Sequence, residues 1–328
     1  MMGEHREGGD TVRTEELLKN IAAFRPLWQD EWEPNARMLD FEEKWAAFHD
    51  PAGRVMVCAH RGDRNELYPE NSLEGFLSAR MAGADMLEAD IRVTSDGVPI
   101  VMHDETLTRT TNLPLLRQGG EAWLPHSDAV ADWTLAQVRR LRLISPSGAV
   151  SECAVPTLEE LILLARGHCF ITLDKAGSFS FEEAVMPLLE KHSAWRTVLI
   201  PYEYSFERVM DIQKSIKEKC GQYAPYFAKA VRCGKMDVER IERGMRFLQE
   251  NNLSPILRGG EFDAEDETVI PLLRDTVKGK YRLYAESLHE EHDNEENWRR
   301  MVDAGCGILM GNHNYALLKF LKASHFEG

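Results

Sequence analysis

The residues best suited to chemistry crowd into one stretch, Val57 to Thr111. His60 and His103 each follow a short apolar run, and Glu88 and Asp90 stand two apart between them. In an extended strand, residues two apart project to the same face, so "MLEADIRV" aims both carboxylates one way. On a solvated strand such a pair needs no explanation. Here Met86, Leu87, Ala89 and Ile91 flank it, which predicts an apolar interior. Like charges held there repel and lose hydration unless a proton or a cation neutralises them. A hard divalent ion, Mg²⁺ or Ca²⁺, suits such an oxygen set. Asp174 ends another apolar run, "CFITL", and is the natural third ligand; Lys175 or Arg61 could then meet the phosphate or carboxylate of a substrate. Either histidine alone reads more readily as structural. Two of them at strand ends, bracketing a carboxylate pair, read as proton carriers, because imidazole exchanges protons near neutral pH. The constellation points to metal-assisted phosphoryl transfer.

Other placements carry less. "HEEHDNEE" (His289–Glu296) puts its histidines three apart in a run without apolar partners, so it reads as a solvated acidic loop rather than an HExxH zinc helix. No GxSxG occurs, which leaves a serine hydrolase without support.

The elements that must position these residues alternate. From Arg54 onward the candidate strands are "RVMVCA", "DMLEADIRV", "VPIVMH", "CFITLD", "RTVLIPY", "PYFAKAV", "SPILRG", "YRLYAES" and "GCGILMG". Helical stretches lie between most of them, for example Ser72–Met81, Thr157–Ala165, Phe206–Lys219 and Glu295–Ala304. Such alternation implies βαβ units around a parallel sheet, and a closed (β/α)8 TIM barrel fits their number best. An open doubly wound sheet is the alternative, but no glycine-rich phosphate loop follows the first strand. Residues 1–53 read as an N-terminal helical extension, with apolar positions Leu17, Leu18, Ile21 and Phe24, then Phe41, Trp45 and Phe48; Trp28 and Trp32 between them read as structural. Residues 54–328 form the barrel domain. The long segment 112–155 reads as an insertion after the second-strand region, placed to act as a lid or substrate wall.

Composition narrows the partners. With 39 Lys and Arg against 54 Asp and Glu, the net charge of -15 argues against nucleic acid and anionic membranes. The six cysteines show no CxxC, so they read as buried thiols of a reducing compartment. No stretch reaches eighteen uninterrupted apolar residues, and no hydrophobic signal core is found near Met1, so the expected location is the cytoplasm. Nothing in the composition speaks against a homo-oligomer.

The ordered motifs also resemble a known family, the glycerophosphodiester phosphodiesterases. "HRG" (His60–Gly62), "PENS" (Pro69–Ser72), "GAD" (Gly83–Asp85), "EAD" (Glu88–Asp90), "TSDG" (Thr94–Gly97), "HD" (His103–Asp104) and "TLTRTT" (Thr106–Thr111) follow in the family's order. The resemblance covers roughly Arg54 to Leu321. It implies a TIM barrel, one divalent cation (Mg²⁺ or Ca²⁺, with Mn²⁺ as a further candidate) on Glu88 and Asp90, and His60 and His103 as the acid–base pair. Arg61 would contact the phosphate. The substrates would be glycerophosphodiesters, cleaved to sn-glycerol 3-phosphate and an alcohol. The alternatives are a lysophospholipase D or sphingomyelinase D-like phosphodiesterase, or a catalytically silent barrel that binds a phosphorylated ligand. Three positions depart from the pattern. Asp174 stands where a Glu of an ExK strand is usual, Asn312 in "GNHN" replaces the Asp of TDxP, and Glu286 replaces an Asn. The last two are expected on the substrate side of the mouth.

Overall fold

A computed structural model describes residues 9–19, 23–26, 40–175, 177, 179–232, 235–262 and 266–324. Its strands are β1 (Met56–His60), β2 (Met86–Val93), β3 (Pro99–Val101), β4 (Phe170–Asp174), β5 (Ala228–Lys229), β6 (Val231–Arg232), β7 (Lys235–Met236), β8 (Ile256–Glu261), β9 (Arg282–Ser287) and β10 (Cys306–Gly311). β4, β2, β1, β10, β9, β8 and β5 pair in that order, all parallel. Two single parallel bridges, Ile171 with Val198 and Ile200 with Tyr226, complete the ring. The backbone bonds there run from Leu199 N to Ile171 O (2.9 Å) and from Ile200 N to Pro225 O (3.1 Å). The fold is thus the (β/α)8 barrel that the alternation predicts, its eighth staff being the short segment 198–200.

Side-chain alternation sorts the strands into two cores. Met56, Cys58, Met86, Phe170, Leu199, Ile256, Tyr284 and Ile308 fill the barrel interior, while Val57, Ala59, Leu87, Ala89, Ile171 and Leu173 face the surrounding helices. Glu88 and Asp90 share the parity of Met86, so the alternation that fills the barrel with apolar side chains also sends both carboxylates inward at its C-terminal end.

One expected strand belongs elsewhere. "VPIVMH" contributes β3, but it runs antiparallel to β2, pairing Ile91 with Val101 and Val93 with Pro99. The reason is local: in "TSDG" Thr94 Oγ1 accepts from Val98 N (3.0 Å), and Gly97 takes a positive φ of 81°. A parallel return needs a crossover of a dozen or more residues, and this turn has only a few. His103 therefore lies on a loop beyond a hairpin, not at the end of a barrel strand. β3 starts a satellite core of Ile100, Leu113, Trp133, Leu141 and Val155, so the packed unit beside the mouth begins before Asn112.

The opposite end of the barrel is plugged. Asp40 and Glu43 form a capping box at the start of helix Phe41–His49. Its Phe48 is fully buried and stacks on Phe170 at 4.7 Å between centroids, beside Phe227 at 5.7 Å. Buried Arg282 ties the chain after this helix to the barrel floor, donating to the carbonyls of Ala47, Asp50, Arg54 and Gly307. Burial draws its pKa down to about 10. Farther out, Thr14 Oγ1 donates to Glu160 O (3.3 Å). Trp28, Trp32 and Cys233 lie outside the described residues. Among the described residues no helix is long and apolar enough to cross a membrane.

Removing the plug tests this packing. Phe48→Ala should cost about 3–5 kcal/mol through lost burial and a residual cavity. Urea unfolding should then show a lower midpoint, and an unchanged midpoint would contradict the plug.

Candidate active site

At the C-terminal end of the barrel, Glu88, Asp90 and Asp174 each bring an oxygen within 4.8 Å of the other two. The parallel register of β2 and β4 makes this meeting, since Asp90 lies opposite Asp174. His60 lies opposite Glu88 across β1 and β2, with its Nε2 3.8 Å from Glu88 Oε2. Burial, then the charges of Asp90 and Asp174, push the Glu88 pKa well up; burial likewise raises that of Asp90. Asp90 Oδ1 is buried without a hydrogen-bond partner. An oxygen-only set with an orphaned buried acceptor and surplus negative charge is what a hard divalent cation requires, so the residues present fit the ion that the sequence implies.

Each flanking motif has a structural task here. Gly62 of "HRG" has φ 83°, and a Cβ on it would meet Gly75 C at 2.9 Å, so the turn after β1 can press directly on the next helix. Arg61 takes the left-handed conformation at φ 56°, and so does Lys175 at φ 66°. Non-glycine residues held there store strain, as is common at functional sites. That turn lets the Arg61 backbone N–H donate to Glu88 Oε2 (3.2 Å) and sets its Nε 3.0 Å from Asp90 Oδ2. In "PENS", Asn71 Nδ2 donates to Asp90 Oδ2 (3.0 Å), Ser72 caps helix Leu73–Ala82, and Glu70 accepts from Arg61 and Arg109. The Asp85 of "GAD" is fully buried and accepts from Arg54 and from Val57 N, anchoring β1.

The two histidines are held differently. Asn312 Nδ2 donates to Leu288 O (2.8 Å), which turns Asn312 Oδ1 toward His60 Nδ1 at 2.7 Å. His60 must then carry its proton on Nδ1, leaving an Nε2 lone pair facing the carboxylates. Burial, then the nearby Arg61 charge, lowers its pKa to about 4, so the ring is neutral near pH 7. Asn312 therefore orients the His60 ring, whereas its departure from TDxP was expected on the head-group side. His103 instead meets a carboxylate: Asp104 Oδ1 lies 2.5 Å from its Nδ1, leaving Nε2 available. Arg109 holds Asp104 from behind (2.6 Å), and this bond, acting against the weaker effect of burial, keeps the Asp104 pKa at about 2.

Glu203 and Asp293 join the site unexpectedly, and Glu286 finds a partner that its expected place at the mouth does not disclose. Glu203, just beyond segment 198–200, is hydrogen-bonded to Asp174. Burial, then that bond, raises Glu203 to about 8; Asp174 falls to about 2, since the bond and Lys175 outweigh burial. Its signal in the sequence was its place after "RTVLIPY", at a barrel strand's C-terminal end. Glu286 points into the barrel, paired with buried Arg258, which packs on the Tyr284 ring at 4.1 Å. In "HEEHDNEE" Asp293 is buried, not solvated: it accepts from Asn312 N (2.7 Å), His313 N (2.8 Å) and Trp298 Nε1 (2.8 Å).

The parallel barrel thus gathers three carboxylates and two hydrogen-bonded histidines at its C-terminal mouth. Comparison with known proteins gives it a family. The model of the "Glycerophosphoryl diester phosphodiesterase family" matches residues 60–196. A glycerophosphodiester phosphodiesterase of Caldanaerobacter subterraneus subsp. tengcongensis is 40% identical over 185 residues, covering 53% of this chain and 70% of that protein. One from Bacillus subtilis is 32% identical over 151 residues, 42% of this chain and 47% of the relative. Among solved structures, a glycerophosphoryl diester phosphodiesterase from Parabacteroides distasonis superimposes with a TM-score of 0.65 at 20% identity, over 88% of this chain and 93% of that one. An Oleispira antarctica phosphodiesterase in complex with the product sn-glycerol-3-phosphate gives 0.55 at 18% identity, over 82% and 97%. The chain belongs to the glycerophosphodiester phosphodiesterase family.

The role of Asn312 is open to direct test. Asn312→Asp would set a carboxylate against His60 and favour its imidazolium. In histidine-resolved NMR titration His60 should stay neutral down to about pH 5 in the parent and titrate at clearly higher pH in the variant. Identical titrations would remove Asn312 from this role.

Proposed function

We propose that this protein is a divalent-metal-dependent phosphodiesterase that cleaves glycerophosphodiesters to sn-glycerol 3-phosphate and an alcohol. The observation that carries the reading is the pair of histidines with different orienting partners, an amide on His60 and a carboxylate on His103, the first beside Glu88 and the second near Asp90 of one carboxylate triad. Glu88, Asp90 and Asp174 would hold Mg²⁺, Ca²⁺ or Mn²⁺, which when bound supplies charge stabilisation to the phosphoryl oxygens.

The protein's own residues supply the rest. His60 Nε2, neutral and unprotonated, accepts the proton of the attacking hydroxyl as the new P–O bond forms. His103 Nε2 delivers a proton to the departing oxygen as the old P–O bond breaks. Asp104, held against Nδ1, fixes which nitrogen does so. Arg61, steadied by Glu70 and Asp90, and Lys175, 3.7 Å from Asp174, would bind the non-bridging oxygens. Two hydroxyls suit the base: the substrate's glycerol 2-hydroxyl, giving a cyclic phosphate that water then opens, or water directly. The intact set of chemical groups speaks for catalysis rather than silent binding. The free cysteines, four of them buried, are compatible with a cytoplasmic setting.

Purified protein given glycerophosphoglycerol and a divalent ion should release sn-glycerol 3-phosphate, and EDTA should stop the release. His60→Ala and His103→Ala should each lower turnover by ~10²-fold or more. No glycerol 3-phosphate with any of the three ions would refute the reading. Near-native turnover in either variant would remove that histidine from the mechanism.

A further inference from the structure

Beside the triad opens a cavity of about 430 Å³ whose walls include Tyr202, Glu203, Lys229, Arg232, Arg240 and Glu286. Glu203 joins it to the reaction centre through its hydrogen bond to Asp174. In a chain of net charge -15 this cavity is locally cationic. Its two carboxylates are engaged inward, Glu286 by buried Arg258 and Glu203 by Asp174. Its cations are not matched in the same way. Arg232 reaches Asp237 only at 4.0 Å, and among the described residues neither Lys229 nor the Arg240 guanidinium has a carboxylate within that distance. Lys229 shares the inward parity of Phe227 on the same staff, so its ammonium belongs to the mouth.

The surplus continues outward. Arg240, Arg243 and Arg246 recur every third residue on helix Val238–Glu250, rising about 4.5 Å at each step. Arg240 also lines a second groove of about 230 Å³, which it shares with Glu207 and Arg243. None of the three arginines makes an ion pair among the described residues. Guanidinium groups left unpaired next to an anionic reaction centre suit a further phosphate, which they can bind through two parallel N–H bonds. A quaternary ammonium head group would meet repulsion there instead.

Resting on the phosphodiesterase reading, we propose that Arg240, with Lys229 and Arg232, forms a specificity subsite for diesters whose alcohol carries a second phosphate. Glycerophosphoinositol and glycerophosphoinositol 4-phosphate form a matched pair, identical except for that group. The full-length enzyme should favour the phosphorylated diester by about tenfold or more in kcat/KM, a preference that added salt weakens. Arg240→Met, at a half-buried helix position, should bring the ratio of the two kcat/KM values close to one, with Arg240→Lys in between. A parent ratio of one or below overturns the subsite, as does a high ratio that Arg240→Met leaves unchanged. Turnover of unphosphorylated glycerophosphoinositol without any preference defeats this inference alone. Turnover of neither diester, with glycerophosphoglycerol still cleaved, overturns the subsite alone; turnover of none of the three defeats the phosphodiesterase reading and the subsite with it.

Discussion

Glu88, Asp90 and Asp174 each bring an oxygen within 4.8 Å of the other two in a barrel whose interior is largely filled by methionine, phenylalanine, leucine, isoleucine and Tyr284. At an effective dielectric near 20, unit charges at that separation repel by roughly 3–4 kcal/mol per pair. Burial adds a desolvation cost for each ionised group. Much of the surrounding architecture offsets that repulsion. The Arg61 guanidinium and the Asn71 amide lean on Asp90, the Arg61 backbone N–H bonds Glu88, and Glu203, whose pKa burial and Asp174 push up, pairs with Asp174. Asp90 Oδ1 still lacks a partner, and that remainder is the physical case for a cation.

The same constraint explains why a short sequence motif needs so much support. Arg61 reaches both carboxylates only by adopting a left-handed backbone, and Gly62 lets that turn sit on the following helix. Asn71, also left-handed at φ 59°, turns its side chain back while Ser72 caps the helix. Arg109 bridges Glu70 and Asp104, linking the Arg61 network to the His103 network across the mouth. The two histidines are thereby held through different neighbours: an amide oxygen orients His60, and a carboxylate orients His103.

Much of this was legible in the sequence, because alternation is short-range information. The parity of Met86, Glu88 and Asp90 predicted both the inward face and the buried charge. The "TSDG" turn is legible too, but alternation alone carries no crossover length and so predicts β3 in the barrel, whereas a turn this short permits only an antiparallel return. Segment 198–200 contributes single bridges and is followed by Pro201, which weakens any strand pattern there. What the sequence hid was long-range pairing. Asn312 is 252 residues from His60, and Asp293 takes part through bonds to Asn312 and Trp298 that no local spacing discloses. Glu203 was hidden because a lone carboxylate after an apolar run looks like any loop residue.

The central claim is that the three carboxylates form one cation site rather than a solvated acidic patch. Thermal unfolding of the chelator-treated protein, with and without Mg²⁺, Ca²⁺ or Mn²⁺, tests it most directly in the parent and in Glu88→Gln. Binding to the native state alone should stabilise the parent by ~2.7 kcal/mol at a hundredfold excess over Kd, raising Tm, and Glu88→Gln should lose most of that rise. A parent Tm that none of the three ions moves, or an equal rise in the variant, would contradict the account.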